Sequence, residues 1–188
     1  MTEILAALVI LLLMGLVITR VLVMKRRGIE SLHFGKIDRT DFLIPPFALF
    51  YFYLIFAAAF NWPLAIQPEF FHSLIVSWLG ILFCLAGLIM LGFSLVSFGK
   101  SFRIGIDFEN PDQLVTSGVF SISRNPIYVA FWGIFLGQFL IHPNWFFLVY
   151  LAAASWLLHR QVLREEQYLR GHYGEEFLSY CSRVRRYL

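Results

Sequence analysis

Two short polar runs stand out in a chain that is otherwise apolar. The first is Ser123-Arg124-Asn125-Pro126-Ile127-Tyr128, and the second is Glu165-Glu166. Asn125 is a favoured N-cap and Pro126 suits a first helical position, so the first run marks a helix start. A helix N-terminus also offers unpaired N–H groups and a positive dipole end. With Arg124 beside it, that end would hold a carboxylate. Adjacent acids point about 100° apart on a helix, so Glu165 and Glu166 cannot face one surface squarely. One of them would bind an amine or a ribose hydroxyl. A solvated helix face, with Glu166 paired to Arg170 at i,i+4, explains the same residues without function. Both readings remain open on local grounds.

Other candidate chemistry is sparse. The five histidines, His33, His72, His142, His159 and His172, have no HxxH or HExxH spacing. This argues against a di-iron desaturase or a zinc protease, and no metal site is expected. GxSxG, P-loop and GxGxxG patterns are absent. Cys84 lies in an apolar run and Cys181 in a basic tail, so no disulfide framework is expected. Gly133 and Gly137 form a GxxxG, which reads as close helix packing. Arg183 with Arg185-Arg186 reads as a headgroup-facing tail. Nothing else favours a nucleic-acid role.

The elements that must position the polar runs follow from composition. Of 188 residues, 59% are hydrophobic, 14% are charged and 21 are Phe. Mean hydropathy is +0.72. A soluble domain carries about 25% charged residues, so this is neither an ordinary soluble protein nor a disordered one. The length allows about five spans of ~20 residues and leaves roughly 90 for everything else. Any site must therefore be built from helix ends and short loops.

The expected fold class is all-α, a single polytopic membrane domain over residues 1–188. The spans read as 4–24, 42–60, 70–98, 126–141 and 145–163. The first is expected to be retained, because its basic cluster follows the apolar run instead of preceding it. Pro45-Pro46 predicts a kink or late start in the second. The fifth helix is expected to continue out of the bilayer to residue 170 and to end at Gly171 or Gly174. An amphipathic stretch over 175–186 follows. All 15 Lys and Arg fall within segments 20–39, 100–124 and 160–186. With five spans these share one side, which the positive-inside rule makes cytoplasmic. The N-terminus is then outside, the C-terminus inside, and the polar runs lie on the cytoplasmic face.

Taken in order, these segments resemble a known family. Leu114-Val115-Thr116-Ser117-Gly118-Val119-Phe120 followed by Ser123-Arg124-Asn125-Pro126-Ile127-Tyr128 is similar to an LVxSGxY/F…R(H/N)PxY signature. Glu165-Glu166 with Leu169, Tyr173-Gly174-Glu175-Glu176-Phe177, Tyr180 and Arg183-Val184-Arg185-Arg186 resembles its EExxL…(F/Y)GxxY/FxxY…VxR tail. The family is the isoprenylcysteine carboxyl methyltransferase and phospholipid methyltransferase group of integral membrane enzymes. The resemblance covers residues 96–188 and leaves 1–95 less diagnostic.

It implies S-adenosylmethionine as cofactor, bound on the cytoplasmic side by Arg124, Asn125, Pro126, Tyr128, Glu165 and Glu166. It implies backbone contacts from the 114–118 loop, here Leu114, Val115 and Gly118. Arg124 and Glu166 are the expected catalytic pair. Eukaryotic protein-methylating members carry His where this chain has Asn125. The Asn form resembles bacterial members, which implies a prokaryotic inner (plasma) membrane location. A lipid-like or prenylated acceptor is implied, and membrane lipids are the expected partners. Methyl transfer from a sulfonium needs alignment more than acid or base. A carboxylate acceptor is already ionised at neutral pH, which favours carboxyl O-methylation. Two alternatives remain at this point. One is an NADPH-dependent membrane reductase of the steroid-reductase type, with Lys100 and Arg103 for a phosphate. The other is a non-enzymatic membrane protein.

Overall fold

The computed structural model describes residues 1–26, 44–62, 68–99 and 114–188. The polar segment around 29–41 and the residues Lys100 and Arg103 lie outside the described residues. Six α-helices are present among them: α1 Thr2–Arg26, α2 Ile44–Ala59, α3 Leu74–Phe98, α4 Pro126–Ile141, α5 Trp145–Tyr173 and α6 Glu175–Arg183. A 3-10 turn, Gly118–Ser121, precedes α4. The described residues contain no strand beyond one isolated bridge, Ser123 to Arg185. The all-α expectation holds.

Three helices, α1, α3 and α5, are long and apolar enough to cross a membrane. The two shorter apolar helices are α2 and α4. Helix α4 has 16 residues, a length of about 24 Å against a hydrocarbon core of ~30 Å. The apolar side chains that point outward include Leu82, Ile89, Phe93, Val149 and Trp156. A water-facing surface does not tolerate so broad an apolar face, whereas lipid does.

Most expected boundaries agree within a few residues. Helix α3 starts later than the expected residue 70. Ser73 caps it, accepting from the Val76 N–H at 3.4 Å, and the Phe70 N–H donates to Pro143 O at 2.7 Å. Residues 70–72 are thus tied to the α4–α5 turn instead of extending the helix. Helix α2 begins at Ile44, so Pro45-Pro46 fall in its first turn, where the missing N–H groups cost nothing. Helix α5 ends at Gly174, whose φ of +50° suits a residue without Cβ.

Packing around α4 fixes the frame. On one side it meets α3 through small residues. A Cβ on Gly137 would lie 2.5 Å from Gly80 O and 2.6 Å from Cys84 Sγ. One on Gly87 would lie 2.7 Å from Ala130 O. The GxxxG expectation therefore holds most strongly at Gly137, while Gly133 has a looser 3.4 Å approach to Phe83 O. Both cysteines are free. On its other side, the C-terminal half of α4 meets α2 and α5 through aromatic rings. The Tyr51 ring lies 5.0 Å from Phe135, 5.8 Å from Phe147 and 4.9 Å from Tyr150. Buried Gln138 ties α4 to α1 by donating to Ala6 O at 3.0 Å.

Candidate functional site

The α4–α5 seam is polar at the N-terminal end of α4. Ser123, Arg124 and Asn125 form the turn into α4, and residues 184–186 run beside them. The Arg124 N–H donates to Arg185 O at 2.9 Å. Ser123 Oγ donates to Arg186 O at 3.4 Å. Below this crossing, Gly118 packs against the Ser97 side chain with φ +63°, a position that suits only glycine. Phe120 meets Phe98 edge-on at 4.6 Å. Tyr180 donates to Phe120 O at 2.6 Å. Burial pushes the Tyr180 phenol up to about 12, so it stays a donor at neutral pH. The 3-10 turn, α6 and the end of α3 together seat the polar turn.

Glu166 is the centre of this arrangement. Its Oε1 accepts from Arg124 Nε at 3.1 Å and Nη2 at 3.0 Å. It also accepts from Asn125 Nδ2 at 3.1 Å. Its Oε2 accepts from Arg186 Nε and Nη2, both at 2.9 Å. The Arg124 and Glu166 side chains are only 11% and 10% exposed. A charge pair this buried is tolerable only because every polar group is matched. The last nitrogen of Arg124, Nη1, completes the match with Val184 O at 2.8 Å and Cys181 O at 3.2 Å.

Three expectations are corrected here. Asn125 occupies the N-cap position of α4 but makes no side-chain cap bond. Its amide instead donates to Glu166 and to Arg186 O at 3.1 Å. Glu166 pairs across the seam with two arginines, and its oxygens do not go to Arg170. Arg186 turns inward to that carboxylate, while Arg183 and Arg185 stay exposed. In each case a tertiary partner, closer to ideal geometry and shielded from water, wins over a local or solvent contact.

Glu165 is held differently. Its Oε1 accepts from the Tyr128 hydroxyl at 2.5 Å and from Gln161 Nε2 at 3.0 Å. Its Oε2 has no hydrogen-bond donor among the described residues, and no cation of those residues pairs with it. The two adjacent acids thus have separate roles, as their 100° offset requires. Among the described residues, Glu166 has partners on both oxygens and Glu165 on Oε1 alone. Sequence reasoning missed Gln161. It lies one turn before Glu165 on the same face, and that i,i+4 spacing is the signal that would have found it. Leu114 and Val115 lie half-buried ahead of the 3-10 turn, and Pro126 is buried in the first turn of α4. No metal cluster of His, Cys, Asp or Glu exists among the described residues.

Residues 71–176 match the phospholipid methyltransferase family. The chain belongs to that family. The match reaches back over α3, further than the motifs of residues 96–188 alone suggested. The chain is 30% identical over 122 residues to the protein-S-isoprenylcysteine O-methyltransferase of Xenopus laevis, covering 63% of this chain and 42% of that one. It is 28% identical over 122 residues to a probable protein-S-isoprenylcysteine O-methyltransferase of Oryza sativa subsp. indica, covering 62% and 63%. Against protein-S-isoprenylcysteine O-methyltransferase B of Arabidopsis thaliana it is 29% identical over 114 residues, covering 58% and 57%. This chain thus spans less than two thirds of the length of each relative. No solved structure gives a significant match. The family and the three long apolar helices together make this an integral membrane protein.

Proposed function

We propose that the protein is an S-adenosylmethionine-dependent methyltransferase acting at the membrane on a prenylated or similarly lipid-like acceptor. The observation that carries this reading is Glu165. A carboxylate with one oxygen fixed by Tyr128 and Gln161, and with no donor to the other oxygen and no paired cation among the described residues, is a receptor for a cation or hydroxyl. The cofactor has both, as an ammonium and a ribose. Tyr128 adds an aromatic ring compatible with positive charge. Arg124, Asn125 and Glu166 hold the wall of this receptor through their network. The 114–118 stretch and Pro126 would line the cofactor side, with backbone groups of Leu114, Val115 and Gly118 available to it.

When bound, S-adenosylmethionine supplies a methyl group carried on a sulfonium. The protein's part is to orient and to exclude water. A carboxylate acceptor arrives ionised and requires no base. This supports carboxyl O-methylation, in keeping with the names of the relatives. In this reading α2 and α4 also span, which makes five crossings. The basic segments and the site then face the cytoplasm, with the N-terminus outside.

The test is cofactor-dependent stabilisation of purified protein in detergent. S-adenosylhomocysteine at about 100 times its Kd stabilises by ~2.7 kcal/mol. A rise in unfolding temperature that is roughly halved in Glu165→Gln is expected. If neither S-adenosylmethionine nor S-adenosylhomocysteine at millimolar concentration shifts unfolding, the reading fails. A shift with NADPH alone would put the reductase in its place.

A further inference from the structure

After Arg185 and Arg186 anchor the tail, the chain continues along the α4–α5 seam. Tyr187 is inserted there. Its ring meets Trp132 of α4 edge-on, 4.6 Å between centroids. Its hydroxyl lies 2.6 Å from His159 Nδ1 of α5. Trp132 is one turn from Tyr128, about 5.4 Å further along α4. His159 precedes Glu166 by seven residues, within about 20° of two full turns, so both lie on one stripe of α5. The wedge therefore sits beside the polar network, on the side toward the apolar middle of the helices. Trp156, three residues before His159, is 62% exposed and extends this face outward.

Two features set Tyr187 apart from the rest of the seam. The Trp132 indole N–H is buried and has no hydrogen-bond partner among the described residues. Buried indole donors almost always find an acceptor. The wedge is also held weakly. One aromatic contact and one hydrogen bond to an exposed imidazole together contribute a factor of about 10 to 100 in the equilibrium.

We propose that Trp132 and His159 frame an acceptor subsite that Tyr187 holds shut, and that the apolar stem of an isoprenyl thioether displaces Tyr187 from it. This rests on the methyltransferase reading and adds where the acceptor lies. The stem brings a sulfur or carbonyl oxygen to the orphan indole N–H and continues outward past Trp156. Its head then reaches the turn where Tyr128 and Glu165 stand. Displacement couples acceptor binding to movement of one side chain, so removing the wedge tightens binding by whatever the wedge contributed.

The experiment measures binding of N-acetyl-S-farnesyl-L-cysteine to full-length protein by calorimetry, with S-adenosylhomocysteine affinity measured in parallel. Tyr187→Ala is expected to tighten the farnesyl probe about tenfold, and Tyr187→Phe, which loses only the hydroxyl, about threefold. Trp132→Phe keeps a ring without the N–H and is expected to weaken the probe about fivefold. S-adenosylhomocysteine affinity stays within about twofold in all three, because none touches Glu165. Unchanged or weaker probe binding in both Tyr187 variants overturns the subsite. So does absence of probe binding to every form. If S-adenosylhomocysteine binds normally in those cases, the methyltransferase reading survives. If it binds to no form, that reading falls and the subsite falls with it.

Discussion

Helix α4 has two unlike neighbours. Toward α3 the contact is dry and built from glycines, so close that a single Cβ cannot be accommodated at Gly137. Toward α5 it divides. Along the C-terminal half of α4 it is an aromatic stack around Tyr51, while at the N-terminal end it is a polar network bridged by residues from the tail. The first seam has one arrangement available to it, because packed backbones do not slide. The second is held by side chains and by a segment distant in sequence. A helix fixed on one side and adjustable on the other can present a binding surface that opens without disturbing the bundle. This is the lesson of the comparison, and it can be tested seam by seam.

The largest effect is expected at the polar seam. Glu166→Gln leaves the buried guanidinium of Arg124 without its counter-charge. Breaking a buried pair this way costs about 3–5 kcal/mol. Thermal unfolding in detergent should show it, together with protease sensitivity of the tail. A stable Glu166→Gln protein with its tail protected would show that the network is not what holds the seam.

Gly137→Val attacks the dry seam. Overpacking there is expected to cost about 1–3 kcal/mol or more, read as lost monodisperse yield and a lower unfolding temperature. Cofactor affinity per folded molecule should change little. If affinity falls more than stability does, the two sides of α4 are not independent.

The α4–α5 seam responds to acid at its turn. His142, in the turn between the helices, is 3% exposed and stacks on Phe147 at 5.0 Å. Burial lowers its imidazole to about 4. The ordinary value is ~6.5, so between these values the unfolded chain binds more protons than the folded one. Stability is therefore full above pH ~6.5 and falls as pH drops toward about 4, by up to ~3 kcal/mol. His142→Gln should flatten that portion of a pH–stability curve. An identical acid slope in the variant would assign the slope to other groups.

Glu165→Gln has the smallest effect on the fold and a selective one on binding. It keeps the hydrogen bonds to Tyr128 and Gln161 within reach while removing the charge. S-adenosylhomocysteine affinity is expected to fall about tenfold, the scale of one charged hydrogen bond, with unfolding of the free protein shifted by under ~1 kcal/mol. Equal loss from Glu165→Gln and Glu166→Gln in both assays would erase the distinction between the adjacent acids.

Much of the frame was legible in the sequence because it depends on local rules. Apolar runs, Pro126 at a first turn and Gly174 at a helix end gave boundaries close to those observed. Gly137 was readable as packing because small-residue spacing has few other uses in an apolar helix. The site residues were legible as types but not as partners. Asn125 looks like a cap, Glu166 like half of an i,i+4 pair and Arg186 like a headgroup contact, and each is a sound local expectation. All three instead meet one another, across 20 to 61 residues of chain. Such a choice depends on which groups the fold shields from water together, and periodicity does not carry that information. Gln161 shows the reverse case, a partner that simple helical spacing offered.

The parallel bridge between Ser123 and Arg185 also sets an order of events. Residues 184–186 are synthesised after every apolar helix, so the bundle can be in the bilayer before its polar seam has its last strand of contacts. Until then Arg124, Asn125 and Glu166 lack the carbonyls of residues 184–186 and the Arg186 guanidinium. The polar seam is thus completed only once the stretch after α6 has been made.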